Sequence, residues 1–199
     1  GPDPFLMTSL GKEYIRSGMP ELAEKWFIKS LEIVPDFSQA LTSLVELYRE
    51  QPGSEKAMQF FEDYLEVHPE ESEIRKALIE HLLAKEEYEA AADHILREKS
   101  RTESYRPLRK TLAFCYRNTE RYHEAANLYL ELLREDPHSV ELLRSYVHCL
   151  DKVGNRDRAI QLITAYESEI KDTQILSIMK GVLLYHSGKY EDALKCFRS

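Results

Sequence analysis

Tyr122-His123-Glu124-Ala125-Ala126-Asn127-Leu128-Tyr129-Leu130-Glu131-Leu132-Leu133-Arg134-Glu135-Asp136-Pro137 decides the fold. Ala125, Tyr129 and Leu132-Leu133 return every three to four positions, which is the apolar stripe of an amphipathic helix. Pro137 fixes its end, because proline cannot continue a helix. Just upstream, Leu108, Leu112 and Tyr116 share one helical face at i, i+4 and i+8, and Asn118-Thr119-Glu120-Arg121 is the turn between the two stripes. The start of the chain has the same layout. Leu6, Leu10 and Tyr14 form a first stripe, and Arg16-Ser17-Gly18-Met19-Pro20 breaks it. Leu22-Ala23, Trp26-Phe27 and Ser30-Leu31 form a second stripe, which Pro35 stops.

The two copies belong to one periodic series. Ala23, Ala57, Ala91, Ala125, Ala159 and Ala193 follow each other at 34-residue intervals. Alanine fills 14 of 199 positions, so chance would put it at about one in fourteen such places, not at all of them. Pro35, Pro69 and Pro137 keep the same clock, with Glu103 and Lys171 at the remaining places. Tyr14, Tyr48 and Tyr116 keep it too, as do Phe27, Phe61, Tyr129 and Phe197. No insertion breaks the phase from residue 4 onward. The alanine has a physical reason: two antiparallel helices cross closely there, and a methyl is the largest group the gap admits.

Composition bounds the function. The 199 residues amount to one or two ordinary domains. A formal charge of −8 argues against a general affinity for nucleic-acid backbones. No apolar run approaches the ~18–20 residues that cross a bilayer. Neither GxxxxGK[ST] nor GxGxxG occurs. Three cysteines without a CxxC suit a reducing compartment. The expected location is cytoplasmic, with a bacterial envelope location the alternative.

The pattern resembles the tetratricopeptide repeat (TPR) family over nearly the whole chain. The first unit supplies Leu10-Gly11, Tyr14, Ala23, Phe27, Ser30 and Pro35. The second supplies Leu41, Leu44, Tyr48, Ala57, Phe61 and Pro69. The third departs most, with Glu98 where a small residue is expected. The sixth supplies Gly181, Gly188, Tyr190, Ala193 and Phe197. The resemblance implies an all-α, right-handed superhelix (an α-solenoid) of antiparallel helix hairpins. It has five full units (4–37, 38–71, 72–105, 106–139, 140–173) and a partial sixth (174–199). Residues 4–199 are expected to form a single solenoid domain. Residues 1–6 read as an expression scar or N-terminal extension. The sixth unit stops inside its second helix without a polar cap, so a fragment of a longer protein is expected.

The resemblance also implies that positions 2, 5, 6, 9, 12 and 13 of each unit face a concave groove. Position 5 reads Thr8, Thr42, Lys76, Lys110, Arg144 and Ile178, with Arg117, His148 and Lys12 nearby. Phe5, Phe114 and Tyr185 are candidate apolar anchors. This cationic row either receives an acidic segment of a partner or merely pairs with groove acids such as Glu73, Glu80, Glu141 and Asp151. The chaperone-tail clamp needs asparagines at positions 6 and 9. None is present, so that mode is rejected. His81, Cys115 and Cys149 recur at position 10, where small buried residues are favoured, and they are not read as a metal site. Nothing reads as a catalytic residue, and no cofactor is implied. The expected function is a non-enzymatic scaffold that binds a protein or peptide in its groove, without nucleic acid or membrane insertion. The alternatives are a regulatory or substrate-recruiting arm of a larger enzyme, and a scaffold that self-associates through its uncapped C-terminal unit.

Overall fold

A computed structural model describes residues 1–100, 102–167 and 173–198. Among these residues the secondary structure is entirely helical. The order is α1 (Pro4–Arg16), α2 (Pro20–Ile33), α3 (Ser38–Arg49), α4 (Glu55–Val67), α5 (Ser72–Ala84), α6 (Tyr88–Arg97), α7 (Thr102–Asn118), α8 (Tyr122–Glu135), α9 (Val140–Lys152), α10 (Arg156–Tyr166), α11 (Thr173–His186) and α12 (Tyr190–Arg198). The chain divides into two compact bodies, Gly1–His94 and Ile95–Ser199, with the border inside α6.

In the N-terminal body α1 packs on α2, α2 on α3 and α4 on α5, while α3 also touches α1 and α5. In the C-terminal body each helix from α7 to α12 packs on the next. Contacts of this kind, within a hairpin or with the next one along the chain, are the mark of a solenoid.

The spaced alanines are the tightest points. Ala23, Ala57, Ala91, Ala125 and Ala159 are completely buried, and Ala193 is nearly so. Four residues further on, Phe27, Phe61, Ile95, Tyr129 and Ile163 are buried as well. In the first hairpin the Phe27 ring lies against the backbone of α1 at Gly11, where a Cβ would come within 2.5 Å of its Cε1. Gly181 and Phe197 repeat this approach at 2.5 Å. A glycine on one helix thus makes room for the ring on the other.

The helix ends follow the punctuation. α2, α4 and α8 stop two residues before Pro35, Pro69 and Pro137. Where Glu103 replaces the proline the border slips. α6 ends early at Arg97, and α7 starts at Thr102, enclosing Pro107. Nothing at Glu103 forbids helix, so the turn moved upstream. Lys171, at the next such place, lies outside the described residues. The hairpin turns place Gly18, Glu86, Glu120, Gly154 and Gly188 at positive φ, all at one position of the 34-residue period.

Polar bonds tie successive hairpins together. Buried Glu24 accepts from the Tyr48 hydroxyl at 2.6 Å and pairs with Lys56 Nζ at 2.6 Å. Burial, then this carboxylate, raises the Tyr48 pKa. Buried His81 accepts the Gly53 N–H through Nδ1 at 3.0 Å, joining α5 to the turn after α3. Within the fourth hairpin, Arg109 of α7 donates two parallel bonds to Glu135 of α8, each 2.8 Å.

Two tests follow from this packing. Gly11→Ala should destabilise the protein by about 1–3 kcal/mol through overpacking against Phe27, read by urea denaturation. An unchanged midpoint would mean that the ring gives way freely. His81 supplies the second. Burial, partly opposed by Glu80, lowers its pKa in the fold. The unfolded chain therefore takes up this proton first, near a pH of about 6.5. Stability should decline as pH falls from 7 to 5.5, and the decline should be shallower in His81→Gln. Equal slopes would remove His81 as the cause.

Candidate functional site

The C-terminal body gathers the largest set of expected groove residues, and α9 places them. Its residues Leu142, Leu143, Tyr146, Val147, Cys149 and Leu150 are buried. Arg144, His148 and Lys152, at i, i+4 and i+8, are left on the exposed face. α11 faces them with Ile178 and Val182, both partly exposed. Together the two helices line a cleft of about 280 Å³, with Asp151 and His186 at its rim and Met179 and Leu183 on its floor.

Neighbouring charges are organised. Asp151 Oδ1 accepts from Arg156 Nε at 2.6 Å, and Oδ2 lies 2.7 Å from His186 Nδ1, so this carboxylate bridges α9, α10 and α11. Burial opposes ionisation of Asp151, but the bonds from Arg156 and His186 outweigh it and hold its pKa below the ordinary value. His148 is shifted downward by burial, then by Arg117 and Lys152. A neutral imidazole is the favoured form there, and it packs edge-on to Tyr122 at 6.1 Å. On α7 the Arg117 guanidinium lies 5.2 Å from the Phe114 ring centroid.

The cationic row is uneven. Lys110 is held by Glu141 across α7 and α9 at 2.7 Å, and Lys76 by Glu73 on its own helix at 2.6 Å. Among the described residues Arg144 has no carboxylate within salt-bridge distance. Lys76 and Lys12 belong to the N-terminal body. There Lys12 lines a cleft of α1 and α3 with Ile15, Glu46 and Glu50. Tyr185 is more than half exposed and packs edge-on to Tyr190 at 5.4 Å. Phe5 packs edge-on to Phe37 at 4.7 Å.

One member of the row is displaced. Thr8 is buried, not groove-facing: its hydroxyl is 3.0 Å from Ser30 Oγ, and both hydroxyls reach the Pro4 carbonyl. A hydroxyl at Ser30, where the repeat pattern favours alanine, gives Thr8 a partner inside the hairpin. Lys152 and the aliphatic wall were missed as site residues. Position 13 marked Lys152, and positions 5 and 9 marked Ile178 and Val182, but attention to charge passed over the apolar pair. Cys115 and Cys149 are fully buried, and burial pushes the Cys149 thiol up to about 11, the opposite of an activated nucleophile.

The sequence profile of the tetratricopeptide repeat family matches residues 25–167, well over half the chain. The chain belongs to the tetratricopeptide repeat family. Solved structures of similar fold include a tetratricopeptide repeat protein from Parabacteroides merdae, 21% identical, covering 98% of this chain and 76% of that one with a TM-score of 0.56. MamA is 16% identical over 94% of this chain and 95% of its own, with a TM-score of 0.65. YrrB, described as a TPR protein with an unusual peptide-binding site, is 18% identical over 85% and 88%, with a TM-score of 0.64. At these identities the likeness is one of fold. No curated protein sequence matches the chain significantly. Among the described residues no helix is long and apolar enough to cross a membrane.

Asp151→Ala should lower stability by about 1–2 kcal/mol, a range that allows for the solvent around its two partners. Arg156→Ala should cost less, since His186 stays bonded. Equal losses in urea denaturation would contradict a carboxylate shared between the two.

Proposed function

We propose that this chain is a non-catalytic scaffold for protein–protein interaction that holds a segment of a partner protein along α9 and α11. The segment it suits is acidic and carries an aliphatic side chain. The observation that carries this reading is the cleft itself. Arg144, without an ion pair among the described residues, and exposed Lys152 stand on one wall, and Ile178 and Val182 stand on the other. A carboxylate docking at Arg144 displaces no ion pair among the described residues. Docking at Lys110 or Lys76 would compete with Glu141 or Glu73. The aliphatic wall supplies the apolar burial that a charge contact in water lacks.

Rigidity is the mechanism. Every turn of α9 is anchored by buried residues, so binding orders the partner and not the scaffold. Asp151 adds to this by fixing Arg156 and His186 at the rim. Family membership supports the scaffold role in general, because the repeat's shared residues pack helices and perform no chemistry.

A fluorescein-labelled peptide with an Ile-Leu core flanked by Asp and Glu serves as the probe. Polarisation should report binding that weakens at least tenfold, about 1.4 kcal/mol, in the Arg144→Glu/Lys152→Glu double variant. Ile178→Asp should weaken it similarly, whereas Lys76→Glu should leave it unchanged. Unaltered affinity after the double reversal would refute the reading.

A further inference from the structure

A second surface lies in the N-terminal body. α2 and α4, the second helices of the first two units, form a groove of about 450 Å³. Ile28, Leu31 and Pro35 line it from one side, and Phe60, Tyr64 and Val67 from the other. Phe60, Tyr64 and Val67 are spaced i, i+4, i+7 along α4, and Ile28 and Leu31 are spaced i, i+3 along α2 with Pro35 just past its end, so two apolar walls run side by side.

Packing does not require this surface to be apolar. Val67, the last residue of α4, is 73% exposed. At the same place in the period, 68 residues on, α8 ends in Glu135, which is exposed and paired with Arg109. The fold therefore accepts a carboxylate where α4 presents an isopropyl group to water. Exposed apolar area that the architecture does not need marks an interaction surface.

Charge states what kind of partner. Glu32 on α2 and Asp63 on α4 are exposed carboxylates, one on each wall. Among the described residues no lysine or arginine lines the groove, and the one basic side chain there, His68, stacks on Tyr64 at 4.7 Å. Asp63 accepts one bond from the Gln59 amide at 2.7 Å and keeps further lone pairs. Past the end of the groove, Glu71, Asp36 and Glu70 act on Tyr64, whose pKa is raised by burial and then by these three. An apolar floor between two anionic rims complements a helix whose apolar stripe is flanked by cations. Two apolar walls side by side receive the ridge of a third helix.

We propose that the α2–α4 groove is a docking site for a short amphipathic helix of a partner protein, with Lys or Arg on both sides of its apolar stripe. The aliphatic stripe lies over Leu31, Phe60 and Val67, and the flanking cations meet Glu32 and Asp63. This site is independent of the acidic-segment cleft and has the opposite charge preference.

The test uses two labelled helical peptides in fluorescence polarisation. One has a Leu stripe flanked by Lys, and the other has the same stripe flanked by Glu. The full chain should bind the Lys peptide and bind the Glu peptide at least tenfold more weakly. Val67→Glu should weaken the Lys peptide at least tenfold, with circular dichroism confirming an intact fold. Glu32→Lys/Asp63→Lys should invert the preference between the peptides. Arg144→Glu/Lys152→Glu should leave Lys-peptide affinity unchanged, so the two sites fail or succeed separately. Lys-peptide affinity untouched by Val67→Glu would mean diffuse attraction to an acidic protein and overturn the proposal. So would a dimer, seen by sedimentation, that Val67→Glu dissolves, because the groove would then hold a second copy of this chain.

Discussion

The closeness of two helix backbones governs this molecule. Where the helices of a pair cross, a methyl group fills the gap, and five of the six spaced alanines have no solvent exposure at all. Interiors packed to this density tolerate neither an extra methylene nor a missing one without strain or a void. The aromatic or branched residue four positions on fills the space beside that contact. At Phe27 it does so closely enough that α1 carries glycine opposite. The other features of the fold adjust around this crossing. The turns adopt left-handed residues, and the helix ends move by several positions when a proline is lacking, while the alanine stays in phase.

That constraint explains how much was legible in the sequence. A contact that accepts one side-chain size leaves a strict mark, so Ala23 through Ala193 located the second helix of each pair before any coordinates. The α6–α7 junction was less legible. Proline imposes a stop, but its replacement by Glu103 imposes nothing, and there α6 ends at Arg97 and α7 begins at Thr102 with no residue type to mark the border. Thr8 illustrates the same limit. Its outward assignment rested on position in the period, and a hydroxyl 22 residues away at Ser30 drew it inward.

Sequence position located the candidate residues but not their ion pairing or their apolar neighbours. Period positions placed Arg144, His148 and Arg117 near one another, and all three lie in the C-terminal body. Lys76, Lys110 and Arg144 look alike in the sequence but differ in pairing, because pairing depends on which carboxylate a flexible side chain can reach. Glu73 and Glu141 reach the first two, and among the described residues none reaches Arg144. The apolar half of the cleft was hidden for a different reason. Ile178 and Val182 look like ordinary helix residues until burial shows that their neighbours Met179 and Leu183 already fill the core.

The bonds that join one hairpin to the next have a modest reach along the chain. Glu24 to Tyr48 spans 24 residues, Gly53 to His81 spans 28, Lys110 to Glu141 spans 31, and Asp151 to His186 spans 35. Each is roughly one period, so the closure entropy is small and nearly the same for every link. A chain wired this way has low contact order, which favours rapid folding that can nucleate at more than one hairpin and spread by zippering. It also gives natural selection a modular ruler, in which a whole period can be inserted or excised while the remaining hairpins keep their register.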